Sequence, residues 1–153
     1  KHEFFATAIY SPLDKTLYWS YKKQVSGHKK NKAVPKTFSS AYFLNNEGIK
    51  RLESLGYTKT YPGNAHLAVT DVALGRLGAV LFWSICPHDP LIPFSFAKNH
   101  GVLPTDENGS VLKTVSLKHT SKGFSRIPRI CYFANNEIKD ELIPIFRNPK
   151  YLR

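Results

Sequence analysis

The chain has 153 residues, 42% of them hydrophobic, which is enough to bury one sizeable core and too few for two ordinary domains. No apolar run approaches the roughly 18 to 20 residues that a membrane span requires, so we expect a soluble protein without a membrane span. Twenty-two Lys and Arg residues against 11 Asp and Glu residues give a net charge of +11, which favours an anionic partner.

The first predicted elements form a β-hairpin. Residues 4–10 and 16–21 are rich in β-formers and aromatic residues, and the turn-forming sequence Ser-Pro-Leu-Asp lies between them. The second of these segments contains Tyr18, Trp19 and Tyr21 directly ahead of two lysines. This combination suits base stacking beside phosphate contacts, and it equally suits a strand with aromatic core residues. Both interpretations stay open.

Basic residues are concentrated in two parts of the chain. Residues 15–36 contain seven lysines and no acidic residue, and residues 112–136 contain three lysines, two arginines and again no acidic residue. Such lopsided charge predicts binding to a polyanion, with RNA or DNA as the first expectation. The predicted nucleic-acid contacts are Lys22, Lys23, Lys29, Lys30, Lys32, Arg126 and Arg129.

The remaining elements predict mixed structure. A charged loop with Gly and Pro is expected at 26–36, and a helix at 46–55 with Asn46 as N-cap and Gly56 at the stop. Strands are expected at 79–86, which is continuously apolar, and at 111–119 and 127–134. We therefore expect an α+β fold in a single domain over 1–153, with a mixed, largely antiparallel sheet and few helices. Because no methionine occurs anywhere, we expect the domain to be part of a longer protein.

Two cysteines and a histidine are candidates for chemical roles. Cys86 and Cys131 each lie in an apolar stretch, which predicts buried free thiols or a single disulfide. Cys86 and His88 fall on the same side of an extended strand end, but the proline between them disfavours a catalytic pair. His88 and Asp89 have no second His or Cys at ligand spacing, so no metal site is predicted.

His119 suggests a second chemistry. It stands among basic and hydroxyl-bearing residues in the sequence LKHTSKGFSRIPR. RNA cleavage without a metal needs a proton-transfer group near neutral pKa and cations that stabilise a pentavalent phosphate, and these residues supply both. The alternative is a hydrogen-bonded histidine at the rim of the core. His119 is therefore a candidate catalytic residue of a metal-independent ribonuclease.

The chain ends in DELIPIFRNPKYLR, which places Glu141 ahead of an apolar run closed by Pro144. Interpreted as a terminal strand, this segment holds one carboxylate at the edge of the core, where it can stabilise positive charge developing on a sugar carbon. Glu137 is a rival carboxylate nearby. In the order Glu141, aliphatic pair and Pro144, the segment resembles the C-terminal strand of ADP-ribosyltransferase toxins.

This resemblance implies a fold, a substrate and a biological setting. It implies that Glu141 is catalytic, that NAD is the substrate, and that Ser39 and Ser40 support the NAD pocket. Because the sequence contains no metal-ligand constellation, no metal is expected to be required. The resemblance further implies a toxin or effector domain, secreted or delivered into a target cell. The family includes members that modify proteins and members that modify nucleic acid, and the basic charge balance favours an acidic macromolecular acceptor; an inhibitor partner is not given by the sequence. The leading hypothesis is NAD-dependent ADP-ribosyl transfer, and the alternatives are the ribonuclease and a noncatalytic nucleic-acid-binding module.

Overall fold

The computed structural model describes residues 6–27, 33–41, 44–61, 63–82, 91–112 and 129–153. The strands in chain order are β1 (Ala6–Ser11), β2 (Thr16–Tyr21), β3 (Gln24–Val25), β4 (Thr37–Ala41), β5 (Thr58–Lys59), β6 (Ala79–Phe82) and β7 (Ile130–Phe133). The helices are α1 (Asn46–Ser54), α2 (Ala65–Ala73), α3 (Phe94–Asn99) and α4 (Asn136–Phe146), followed by a short 3-10 helix (Pro149–Tyr151).

The first three strands form an antiparallel sheet in the order β1-β2-β3, and the predicted hairpin is confirmed. Side chains alternate between its two faces, as the period of two requires: Ile9 and Tyr18 are buried on the inner face. Trp19 and Tyr21 are exposed on the outer face. The aromatic cluster thus divides between a core residue and two surface residues.

The other four strands form a mixed sheet in the order β5-β4-β6-β7. β4 pairs in parallel with both β5 and β6, whereas β7 runs antiparallel to β6. All four residues of β6 are buried, because helices cover both faces of this sheet. The expected α+β fold with mixed strands is confirmed.

Helices on the two faces of the mixed sheet create two apolar cores. α1 and α4 contribute Leu52 and Leu142 to the core on one face. α2 and α3 lie on the other face, between the two sheets, where Phe96 of α3 meets Tyr18 of β2 edge to face with ring centroids 6.1 Å apart. Ser95 of α3 adds a buried hydroxyl contact to Thr7 at 2.6 Å. The small sheet is therefore fastened to the larger one through these two helices.

Asparagine side chains start three of the helices. Asn45 Oδ1 accepts a hydrogen bond from Gly48 N at 2.9 Å, and Asn135 Oδ1 accepts one from Ile138 N at the same distance. The helix predicted at 46–55 is confirmed, but its cap is Asn45 and not Asn46, a shift of one residue in the repeated sequence Asn-Asn-Glu. None of the helices within the described ranges is long and apolar enough to span a membrane.

The predicted terminal strand is wrong, because Glu141 and Pro144 lie within helix α4. The cap at Asn135 begins the helix, and Glu137 in the first turn favours it. Buried side chains then recur at helical spacing, at Ile138, Leu142, Ile145 and Phe146. The amphipathic pattern outweighs the proline, although its ring removes one intrahelical hydrogen bond and crowds the carbonyl group one turn earlier.

Several predicted segments are described only in part. The predicted 79–86 strand is seen as β6, and its second half lies outside the described residues. Residues 28–32 of the predicted charged loop and most of the predicted 111–119 strand also lie outside the described residues. The strand predicted at 127–134 is seen as β7.

Candidate functional site

A cleft of about 440 Å³ lies at the carboxyl ends of β4 and β5, and we call it the β4 cleft. β4 leads into α1 on one face of the mixed sheet, and β5 leads into α2 on the other. Neighbouring parallel strands whose connections leave in opposite directions open a crevice between them, where ligands of α/β proteins bind. The lining residues are Ser39, Ser40, Lys59, Tyr61, Gly63, Asn64, Ala65, Ala68, Phe82 and Arg153.

The N-terminus of α2 forms one wall of the β4 cleft. Asn64 caps this helix, and its Oδ1 accepts a hydrogen bond from Leu67 N at 2.8 Å. Gly63 precedes it with φ of +91°, a conformation that residues with a Cβ atom rarely adopt. The first-turn N–H groups have no carbonyl acceptor within the helix and carry the positive end of its dipole. This wall is suited to an anion, and phosphate is the group most often bound in this way.

Two cations and two hydroxyl groups complete the polar lining. Lys59 lies at the end of β5 with its Nζ 4.9 Å from the ring centroid of Tyr61. Arg153 donates a hydrogen bond from Nε to the carbonyl oxygen of Leu44 at 3.0 Å, which fixes its guanidinium beside the cleft. Among the described lining residues there is no carboxylate. The charged side chains of the described lining are therefore both cations.

A second cleft of about 410 Å³ shares Arg153 with the β4 cleft, and we call it the arginine cleft. Three arginines line it, and Glu107 is the acidic residue of its described lining. Arg129 forms an ion pair with Glu107 at 3.8 Å. The lining residues are Glu107, Asn108, Arg129, Phe146, Arg147, Pro149, Leu152 and Arg153.

Glu141, the predicted catalytic carboxylate, lines neither cleft. Its Oε1 accepts a hydrogen bond from Lys36 Nζ at 2.8 Å, and its Oε2 accepts one from the Tyr57 hydroxyl at 2.7 Å. These hydrogen bonds hold the pKa of Glu141 below its ordinary value. The pKa of Tyr57 is raised, first by burial and then by its hydrogen bond to Glu141. The three side chains connect α4 to the starts of β4 and β5.

The other predicted site residues are distributed over the molecule. Ser39 and Ser40 do line the β4 cleft, although they were predicted for an NAD pocket. Lys22 and Lys23 are exposed in the turn after β2, and Arg129 lies in the arginine cleft. Polyanion binding by these three residues stays a prediction. The predicted residues His119, Lys29, Lys30, Lys32 and Arg126 lie outside the described part of the chain.

Sequence reasoning missed the residues that shape the β4 cleft most. Gly63 and Asn64 stand directly ahead of the apolar segment AHLAVTDVAL, which is a helix-start signal that could have been recognised. Lys59 and Arg153 carry no local signal, because only the fold brings the end of β5 and the last residue of the sequence to the same cleft. Cys131 is buried and unbonded, as one of the two interpretations predicted, and burial raises the pKa of its thiol.

No protein-family model and no curated protein sequence matches this chain. Solved structures do match it. An inositol monophosphatase family protein from Staphylococcus aureus superposes with a TM-score of 0.72 at 17% identity, covering 97% of this chain and 59% of that protein. A dual inositol monophosphatase/NADP phosphatase in complex with Mg²⁺ and phosphate gives 0.71 at 19% identity, covering 97% and 57%. The Thermotoga maritima inositol monophosphatase gives 0.69 at 18% identity, covering 93% and 55%.

These similarities establish the fold and correct the predicted function. The fold is that of inositol monophosphatases, so the resemblance to ADP-ribosyltransferase toxins is wrong, and with it the predicted toxin function and NAD as substrate. The ribonuclease and the nucleic-acid-binding module find no support among these structures either. The expectation that no metal is needed is also contradicted, because neighbours were crystallised with Mg²⁺ or Ca²⁺. The chain spans less than three fifths of these neighbours' length.

Proposed function

We propose that this chain is the phosphoester-binding part of a phosphatase that acts on small phosphorylated molecules. The observation that carries the proposal is the β4 cleft, where a capped helix N-terminus, two cations and two serines converge at the carboxyl ends of parallel strands. The neighbours that share the fold include complexes with phosphate and with D-inositol-1-phosphate. Fold and local chemistry thus indicate the same class of ligand.

The lining residues suggest a role for each wall of the cleft. The first-turn N–H groups of α2 would donate to the phosphate oxygens, and Gly63 allows the backbone to approach closely. Lys59 and Arg153 would neutralise the phosphate charge, and the serine hydroxyls of β4 would donate to the phosphate or to the alcohol it esterifies. The exposed Tyr61 ring forms the rim.

The neighbours' Mg²⁺ raises the question of whether this chain can hold a metal ion. Within the described residues, no group of three or more His, Cys, Asp and Glu side chains lies close enough to do so. The described residues thus supply no complete set of metal ligands, and we derive no reaction step through a metal. We assign phosphoester binding, and not the hydrolytic step, to the described cleft.

Calorimetric titration with myo-inositol 1-phosphate tests the proposal. We expect saturable binding with a Kd of about a millimolar or tighter, and none with unphosphorylated inositol, because the charged group supplies the recognition. Lys59→Gln should weaken binding about fivefold, equivalent to ~1 kcal/mol. Lys50→Gln removes the same charge from an exposed position of α1 and should change the Kd by less than about twofold.

The same titration has a result that would contradict the proposal. If wild-type protein binds neither inositol 1-phosphate nor inorganic phosphate, the β4 cleft is not a phosphoester site. Measuring phosphate release with MgCl₂ and with EDTA then separates binding from hydrolysis. Release that requires Mg²⁺ would extend the function of the chain from binding to catalysis.

A further inference from the structure

The arginine cleft is positioned to act together with the β4 cleft. Arg153 lines both, so the two clefts share one wall. Arg129 directly precedes β7, whose first residue pairs with Phe82 at the carboxyl end of β6. Both clefts therefore lie toward the edge of the mixed sheet where the parallel strands end. A ligand held in the β4 cleft has this second cleft beside it.

Contacts with the scaffold hold the guanidinium groups in place. Arg147 donates a hydrogen bond from Nη2 to the carbonyl oxygen of Asn108 at 2.7 Å, and Arg129 pairs with Glu107 at 3.8 Å. Arg153 is fixed by its hydrogen bond to Leu44. A guanidinium has five N–H donors, so anchoring Arg147 through one of them leaves donors on the same planar group for a ligand. Preorganised donors lose little side-chain entropy when they bind.

The charge and the walls of this cleft define the ligand class. Three guanidinium groups against one carboxylate leave an excess of two positive charges among the lining residues. Pro149 and Leu152 provide apolar surface beside them. Arginine forks bind phosphate and carboxylate groups through paired hydrogen bonds. The chemistry selects a compact dianion over a neutral group.

We propose that the arginine cleft binds a second anionic group of the substrate, so that the protein prefers bisphosphorylated small molecules to monophosphates. The inference rests on the proposed function, because the first phosphate is the one held in the β4 cleft. Arg147 is the residue that distinguishes the two ligand classes, since it lines the arginine cleft and not the β4 cleft.

Titration with a matched pair of ligands, myo-inositol 1-phosphate and myo-inositol 1,4-bisphosphate, provides the test. Wild-type protein should bind the bisphosphate about tenfold more tightly, as expected for one added charge-assisted contact. Arg147→Gln should abolish this gain while the Kd of the monophosphate changes by less than about twofold. Arg51→Gln, which removes a positive charge from exposed α1, is the matched control and should keep the gain. Arg147→Lys keeps the positive charge but not the planar pair of N–H donors, so it should retain only part of the tighter binding of the bisphosphate.

Each other result overturns the inference in a recognisable way. Equal affinity for the two ligands refutes the second anionic subsite and leaves the β4 cleft proposal standing. Binding of neither ligand refutes both. If the tighter binding of the bisphosphate survives Arg147→Gln, or if Arg51→Gln removes it equally, the preference comes from overall charge. Either result refutes the arginine cleft as the second anionic subsite. Thermal melting of each variant shows that it is folded, and Arg147→Lys provides the comparison if the glutamine variant is not.

Discussion

Glu141 accepts hydrogen bonds from Lys36 and Tyr57, which belong to segments far away in the chain. Glu141→Gln should lower the free energy of unfolding at pH 7 by about 0.5 to 1 kcal/mol, because the ion pair with Lys36 is partly exposed and screened. The folded-state pKa of Glu141 lies below its ordinary value of 4.5. Its contribution is therefore complete above that pH and is lost as the pH falls through the folded-state pKa.

Urea unfolding of the wild type and Glu141→Gln at a series of pH values measures this effect. The difference between the two proteins should shrink toward zero at acid pH, where Glu141 is protonated and resembles glutamine. Glu137→Gln serves as the control, since Glu137 is exposed at the start of α4, and it should cost only about 0.3 kcal/mol through the lost interaction with the helix dipole. A pH-independent difference at Glu141 would show that packing, and not charge, carries the contact.

Tyr57 provides an independent check of the same cluster. Tyr57→Phe keeps the buried ring but removes the hydroxyl that donates to Glu141. We expect a loss of about 1 kcal/mol in the free energy of unfolding, the usual net contribution of such a hydrogen bond. Combining Tyr57→Phe with Glu141→Gln should cost less than the sum of the single changes, because both remove one shared contact. Strict additivity in this double-mutant cycle would contradict the contact.

At the scale of the element, helix α4 depends on its cap. Asn135→Ala should lower the free energy of unfolding by about 1 kcal/mol, because Ile138 N loses its acceptor. Asn136→Ala changes the next residue, which is exposed in the first turn, and should cost less than about 0.5 kcal/mol. Thermal or urea unfolding distinguishes the two variants. The reverse order would place the cap one residue later and contradict the described helix start.

Local patterns in the sequence predicted some elements well and others poorly. The hairpin and α1 were predictable because alternation, turn residues and a cap signal all agree over adjacent residues. For α4, a short apolar run and Pro144 suggested a strand, while the helical recurrence of Ile138, Leu142 and Ile145 decided the structure. The prediction considered only the short run up to the proline. The helical periodicity becomes visible only over the longer segment that packs against the core.

For the molecule as a whole, the candidate site was less predictable than the individual helices and strands. The sequence pointed to Ser39 and Ser40, which line the β4 cleft, but assigned them to an NAD pocket. Lys59, Asn64 and Arg153 meet only because β4 and β5 are parallel neighbours with connections on opposite faces. No local spacing in the sequence encodes such a long-range arrangement. The similarity of fold to inositol monophosphatases was likewise not visible in the sequence, because the matching structures share only 16 to 20% identity with this chain.

The net charge of +11 gives a prediction for the molecule as a whole. Affinity of the β4 cleft for inositol 1-phosphate should fall as NaCl rises from about 50 to 500 mM, because salt screens the summed positive field. Affinity should also rise between about pH 5 and 7.5, as the phosphate monoester loses its second proton near pH 6. Calorimetry under these conditions measures both. Binding that is insensitive to salt and pH would point to recognition of the polyol alone.

The position of the antiparallel strand β7 in the chain affects how this protein folds during synthesis on the ribosome. β6 pairs with β4 on one side and with β7 on the other, and β7 is synthesised after both of them. Until Ile130–Phe133 emerges, the apolar sequence Ala-Val-Leu-Phe presents an unpaired strand edge that can recruit other chains. We therefore expect a stalled or prematurely terminated chain that lacks β7 to aggregate with other chains. Pairing of β7 with β6 removes this exposed edge.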